Sequence, residues 1–262
     1  MLVFVIPIKS AQVSKSWEQV SSLFERCLRS VCAQTVQQFQ VIAVCHERPA
    51  IQYQHPAVTY VEVNYPLIPT TSGDPKMRYK RHDKCRKIWA GLRAAEQFKP
   101  SHVMFADADD LVSNRLAEHI LQNPNAHGWY VDKGYEYQNG NDFIFLRKRF
   151  YLLSGTSNIV KYSLLEPDRN LDFEDVGWRF LWHQDIVELM QERETPLAPL
   201  SFPGAVYIVE NGENIWSQTE LRLDKGDHLK RISSDARKLY KRLRSQSITP
   251  SLRSEFGLDY IT

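Results

Sequence analysis

The apolar runs in the first hundred residues constrain this chain more than anything else in it. Val3 to Ile8 is almost continuously apolar, and so are Phe39 to Val44 and His102 to Ala106. Runs this short and this apolar suit strands covered on both faces, the usual situation in a parallel sheet. Val58 to Val63 alternates and reads as a further strand. Between them lie two helical patterns. From Ser16 onward, Val20, Leu23, Phe24, Cys27, Leu28 and Val31 recur at helical spacing, and from Arg81 to Phe98, Cys85, Ile88, Trp89, Leu92 and Ala95 share one face. The order strand, helix, strand, strand, helix, strand predicts an α/β fold. Its centre is a Rossmann-like, open, mostly parallel sheet with helices on both faces. Ligands on such sheets bind beyond the carboxyl ends of the strands.

The remainder is less regular. Gly128–Val131 and Asp142–Leu146 read as strands that pair antiparallel through a turn at Tyr137–Asn141. Val176 to Arg193 reads as a helix, and Ala205 to Val209 as a strand. From Asp224 to Arg244 there are eight basic residues: Lys225, Lys230, Arg231, Arg237, Lys238, Lys241, Arg242 and Arg244. Leu229, Ile232, Ala236, Leu239 and Leu243 recur among them at three or four residues. The stretch therefore reads as a basic helix with a narrow apolar stripe, the start of a C-terminal helical extension over 223–262. Such a helix either packs on its own domain or rests on anionic lipid.

No stretch approaches the ~20 apolar residues that a membrane span requires. Met1 to Ile8 lacks a basic flank and a small-residue cleavage site, so it reads as a strand and not as a secretory leader. The expected location is the cytoplasm, with peripheral contact to the inner face of the membrane if residues 224–244 rest on lipid and do not pack on the domain. The four cysteines, Cys27, Cys32, Cys45 and Cys85, form no Cys-x-x-Cys pair and match no zinc spacing. Buried, reduced thiols are expected. A net charge of +2 over 262 residues singles out no partner. Only the basic tail argues for nucleic acid, and no nucleic-acid partner is expected.

The third apolar run ends in Asp107-Ala108-Asp109-Asp110. Three carboxylates within four residues repel one another unless cations or hydrogen-bond donors offset them. A hard divalent cation with oxygen ligands, Mg²⁺ or Mn²⁺, fits, and such a cation also binds diphosphates. The competing explanation is that Asp109 or Asp110 caps a helix beginning near Leu111. Capping accounts for one aspartate and not for three.

These residues carry a resemblance. Asp-Ala-Asp-Asp closing a strand is similar to the DxD motif of family 2 glycosyltransferases with the GT-A fold. Val5-Ile6-Pro7-Ile8-Lys9-Ser10 resembles that family's opening strand, and Cys27-Leu28-Arg29-Ser30-Val31-Cys32-Ala33-Gln34-Thr35 its first helix. The resemblance covers about residues 1–216 and is most specific over the first 112. It implies a GT-A domain over 1–222, with a donor half at 1–112 and an acceptor half at 113–222. It implies an inverting transfer from a nucleotide sugar, a UDP-sugar being favoured, to a hydroxyl of a glycan, glycolipid or small molecule. Asp107 would lie at the ribose. Asp109, supported by Asp110, would hold Mn²⁺ or Mg²⁺. Pro7, Ile8 and Lys9 would line the donor site, and Lys84 and Lys87, one helical turn apart, would neutralise the diphosphate.

Two family features are replaced here. The aspartate that reads the base after the second strand gives way to Cys45-His46-Glu47, which leaves Glu47 as its substitute. The late metal-binding histidine is missing from Tyr207–Asn214, which leaves Glu210 or Glu213. An inverting transfer also needs a general base. Asp185, in Trp182-His183-Gln184-Asp185, is the first candidate, with Glu174 and Asp175 as alternatives. Ser154, Gly155, Thr156 and Asn158 form a polar loop suited to sugar hydroxyls, and Trp182 a face on which a sugar can stack, which makes an acceptor site. Two other functions fit less well. A sugar nucleotidylyltransferase would carry a glycine-rich phosphate loop after the first strand, and residues 9–16 contain no glycine. A non-catalytic protein that binds nucleotide sugars or glycans would explain the missing histidine.

Overall fold

The computed structural model describes residues 1–66, 76–165, 173, 181–209, 211–213 and 244–258. In chain order the first half contains β1 (Leu2–Pro7), α1 (Trp17–Cys32), β2 (Phe39–Cys45), β3 (Val58–Glu62), α2 (Lys76–Ala95) and β4 (His102–Phe105). Next come β5 (Leu111–Val112), α3 (Leu116–Gln122), β6 (Gly128–Tyr130), β7 (Lys133–Gln138), β8 (Phe143–Lys148), β9 (Asn158–Lys161) and α4 (Tyr162–Leu165). The chain closes with α5 (His183–Glu192), β10 (Ala198–Pro199), β11 (Ala205–Val209), β12 (Ser245–Ser247) and α6 (Pro250–Phe256).

Among the described residues, seven strands form the main sheet in the order β10-β6-β9-β4-β1-β2-β3. Strand β1 pairs parallel with β2 and β4, and β2 pairs parallel with β3. Only β9 runs antiparallel, against β4 and β6. This is the open, mostly parallel α/β sheet that the sequence predicts. Every residue of β1 and β4 is buried, because helices cover both faces. One face packs Phe4, Ile6, Val41 and Met104 against Phe24, Cys27, Leu28 and Val31 of α1. The other packs Val3, Val5, Val44 and Phe105 against Cys85, Ile88, Trp89 and Leu92 of α2. The alternation of side chains along each strand makes both cores.

A smaller sheet, β12-β8-β7-β11-β5, stands beside the first around Leu111, Tyr135, Ile144, Ile208, Phe256 and Leu258. Here the structure departs from the sequence reading in three places. Strand β8 pairs with β7 and not with Gly128–Val131, which joins the main sheet as β6. The hairpin turn is made where Gly140 adopts a φ of 81°, a backbone state that glycine reaches without strain. Leu111 and Val112 are a strand, and α3 starts only at Leu116, so neither Asp109 nor Asp110 caps a helix. Finally, 245–258 is no appendage, since β12 extends β8 antiparallel and α6 buries Phe256 in the second core. The basic stretch up to Leu243 lies outside the described residues, as does 176–180 of the expected helix over 176–193, whose described part forms α5 from His183 onward.

No disulfide joins the four cysteines, which are all buried. No helix among the described residues is long and apolar enough to cross a membrane.

Candidate functional site

The acidic residues sit at the carboxyl end of β4, at the seam between the two sheets. Their turn is held from below by α1. The Cys27 thiol contacts the Asp107 carbonyl at 3.4 Å. The Ser30 hydroxyl donates to the Val112 carbonyl at 3.2 Å and accepts from its N–H at 3.0 Å. The Gln34 amide donates to the Ser113 carbonyl and accepts from the Ala117 N–H. Ser30 in the last turn of α1 and Gln34 just beyond its end thus both grip the segment that follows the acidic residues.

The three carboxylates have different surroundings. Asp107 pairs with the Lys84 ammonium and accepts the Gly155 N–H at 3.2 Å. Burial works to raise its carboxyl, but Lys84 prevails, assisted by His183 and the Gly155 N–H, and holds it below the ordinary value. The partner responds in kind: burial opposes the Lys84 charge, yet Asp107 raises its pKa above that of a free lysine. Asp109 accepts from the Asn211 amide at 2.7 Å. Burial and the charge of Asp107 raise its carboxyl despite Asn211, Lys84 and Arg26. Asp110 is fully buried, and one oxygen accepts from both the Ser154 and Thr156 hydroxyls at 2.6 Å. Burial, then Asp109 and Asp107, push it well above the carboxylate range.

The loop at 154–156 thus faces inward. Thr156 also accepts the Asp107 N–H at 2.9 Å, and its own N–H donates to Ser154. Gly155 is needed for space, since a Cβ there would lie 2.4 Å from the Lys84 nitrogen and 2.6 Å from an Asp107 oxygen. These three residues were read as contacts for an acceptor sugar. The structure gives their hydroxyls and backbone to the acidic turn instead. Asn158, at the start of β9, donates to the His183 carbonyl at 3.0 Å and anchors the beginning of α5.

That helix start supplies the far wall. The Trp182 ring centre lies 5.7 Å from the Lys84 nitrogen, within cation–π range. Asp185 follows in the first turn of α5, half-buried. Glu174, Asp175 and Glu210 lie outside the described residues.

The residues near the end of β1 form an adjoining group. The Ile8 N–H donates to Val44 and extends the sheet by one bond beyond Pro7. Glu47 accepts from the Ser10 hydroxyl at 3.1 Å and from the Ala11 N–H at 3.1 Å, bracing the turn after β1. Lys9 pairs with Glu213, whose other oxygen accepts the Lys15 and Ser16 N–H groups at the start of α1. Glu213 is thereby committed to the helix end. Lys87 departs from the sequence reading. At 1% exposure its ammonium donates to the Ile8 carbonyl at 2.7 Å and to Asp83 at 2.8 Å, so it pins β1 to α2 beneath the site.

Sequence reasoning missed Arg26, Asn211 and His183. Asn211 lies in the stretch searched for a late histidine, and an amide carries no metal-ligand signature. His183 lies beside the chosen Asp185, and only the fold brings it near Asp107.

The donors decide what the turn can hold. One Asp110 oxygen is buried without a hydrogen-bond partner among the described residues, and Asn211 engages only one oxygen of Asp109. Both are hard oxygen donors. No group of three His, Cys, Asp or Glu side chains among the described residues forms a ready cage. A partial carboxylate shell completed by substrate phosphates and water is the usual arrangement for Mg²⁺, so the residues fit such an ion.

No family model matches the sequence, and no curated protein is similar to it. Solved structures do resemble it. Staphylococcus aureus TarS (residues 1–349) in complex with UDP-GlcNAc is 16% identical at a TM-score of 0.44, over 81% of this chain and 59% of that one. A second TarS structure is 12% identical at 0.40, over 79% and 60%. The 2-C-methyl-D-erythritol 4-phosphate cytidylyltransferase of Francisella tularensis is 9% identical at 0.39, over 84% and 96%. The chain thus spans about three-fifths of the TarS structures.

Proposed function

We propose that the protein is a metal-dependent glycosyltransferase that inverts the anomeric carbon of a nucleotide sugar, a UDP-sugar being favoured. The observation that supports this most is the acidic turn at the end of β4, with Lys84 opposite Asp107. Asp109 and Asp110 would hold Mn²⁺ or Mg²⁺, which when bound offsets the charge of a departing nucleoside diphosphate. Lys84 would exchange its carboxylate partner for a diphosphate oxygen. Asp107 would then accept a ribose hydroxyl. Asp185 takes the proton of the acceptor hydroxyl as its oxygen attacks the anomeric carbon and the bond to the diphosphate breaks. Trp182 is 6% exposed and packed in the core beside α2, so its ring backs the site and an acceptor would be held by other groups.

A thermal-shift screen of nucleotide sugars with Mn²⁺ tests this, because a ligand that binds only the folded state raises the midpoint. One nucleotide sugar should do so selectively, and mass spectrometry should then find nucleoside diphosphate as product. Binding without turnover over a broad acceptor panel would favour the non-catalytic reading. Release of pyrophosphate from a nucleoside triphosphate would favour a nucleotidylyltransferase. No shift with any nucleotide would exclude all three.

We also propose peripheral contact with anionic membranes through residues 224–244. Because β12 and α6 complete the second sheet, the test must leave them in place. Replacing Lys238, Lys241 and Arg242 with Gln should abolish low-salt co-sedimentation with anionic vesicles. Retained binding would exclude the tail as the anchor.

A further inference from the structure

The acidic turn has a second cation behind it. Arg26 of α1 is 7% exposed. One terminal nitrogen of its guanidinium donates to the Asn139 side chain at 3.1 Å, and the other reaches the Asp109 carbonyl at 3.5 Å. Its Nε is buried with no hydrogen-bond partner among the described residues. A buried guanidinium without a carboxylate in contact is expensive to keep charged. Burial pulls its pKa down, and Asp109, Cys27 and Asp110, the negative or ionisable groups facing it, push back. A helix packed only for its apolar face would carry an uncharged residue here. The turn therefore lies between two cations, Lys84 at its open side and Arg26 at its closed side. Lys84 is 15% exposed and can leave Asp107 for a ligand. Arg26 has no such route.

We propose that Arg26 is a positioning residue that keeps the turn's affinity for a divalent cation low enough that the ion is held only together with the nucleotide. Its fixed charge sits behind Asp109 and Asp110 and makes the turn a weak site for a cation alone. The added negative charge of a diphosphate restores the attraction. The inference rests on the metal-dependent reading above and adds to it an internal reason for the ion and the donor to bind together. Such coupling is reciprocal, so each ligand must tighten the other by the same factor.

The test is Mn²⁺ binding to the full chain by calorimetry and electron paramagnetic resonance, with and without UDP. Three variants are compared with the unsubstituted protein. R26Q removes the charge and keeps a polar stem. R26K keeps the charge and loses the fork. N139D leaves Arg26 in place and supplies a carboxylate partner from the exposed hairpin turn. R26Q should bind Mn²⁺ about tenfold more tightly both alone and with UDP, because the repulsion removed is the same in both. R26K should stay within about twofold of the unsubstituted protein, and N139D should tighten Mn²⁺ by about threefold. A merely structural role would loosen the turn and weaken Mn²⁺ in R26Q. Unchanged or weaker Mn²⁺ binding in folded R26Q overturns the proposal. Should R26Q not fold, N139D decides by the same criterion. If the unsubstituted protein binds no Mn²⁺ even with UDP, the metal reading itself fails. If it binds Mn²⁺ and the variants match it, only the role of Arg26 falls.

Discussion

The two sheets meet at the acidic turn but are assembled in different ways. The main sheet takes β1 to β4 from the first 105 residues, each next to a strand or helix that is near in sequence. The second sheet gathers β5, β7, β8, β11 and β12 from positions spread over 111–247. The first contributes the charged groups: Lys84 on α2, the aspartates after β4 and Arg26 on α1. The segments around the second contribute what restrains them: Ser154 and Thr156, Asn211 after β11 and Asn139 at the hairpin tip. Reactive charge and its restraint therefore come from different parts of the chain.

Substitutions on either side of the seam can break that division. On the charge side, Asp109→Ala should reduce turnover by at least about a thousandfold and weaken nucleoside diphosphate binding in Mn²⁺, with the fold kept. Undiminished steady-state rates would remove the acidic turn from the chemistry. Asp185→Asn should leave donor binding intact and lower the rate by roughly 10²–10⁴-fold, as for loss of a general base. If Glu174→Gln or Asp175→Asn does this while Asp185→Asn does not, the base lies outside α5. On the restraint side, Gly155→Ala inserts a methyl against Lys84 and Asp107 and should cost about a hundredfold in rate, the order expected for a misplaced group. A fully active G155A protein would mean that the loop yields without consequence.

The pKa directions give a milder test. Asp109 is raised above its ordinary value, so its proton competes with a cation over a range extending above that of a free carboxylate. Mn²⁺ affinity should therefore fall as pH is lowered through the mildly acidic range, which titrations at several pH values would measure. The smallest effect expected is on stability alone. Glu255 of α6 accepts from the Ser113 hydroxyl at 2.7 Å and pairs with the half-exposed Arg115. Glu255→Ala should lower unfolding free energy by about 1–2 kcal/mol without changing donor affinity, as denaturant titration would show.

The same contrast explains what could be read from the sequence. The four strands and two helices of the first half show as apolar runs and stripes because each is buried by near neighbours. Asp107, Asp109 and Asp110 were legible because nothing in local structure explains three adjacent carboxylates. The second sheet was misread where pairing is non-local. Gly128–Tyr130 has the composition of a hairpin strand, and only the antiparallel insertion of β9 draws it into the main sheet. Ser154 and Thr156 looked like sugar contacts because a polar loop has the same composition whether its hydroxyls face a ligand or a buried aspartate. Lys87 shares its helix spacing with Lys84, and only burial separates the two.

The way β12 and α6 close the second sheet also bears on synthesis. Domains form largely in the order in which the ribosome releases them. The strands around β1 can pair as soon as His102–Phe105 has emerged. Until residues 245–258 follow, β8 keeps an unpaired outer edge, the kind of template on which nascent chains associate. The period of greatest exposure thus falls between translation of β8 and translation of α6, when a holdase would have most to protect. A chain stalled before Ser245 should present the main sheet folded and that edge open.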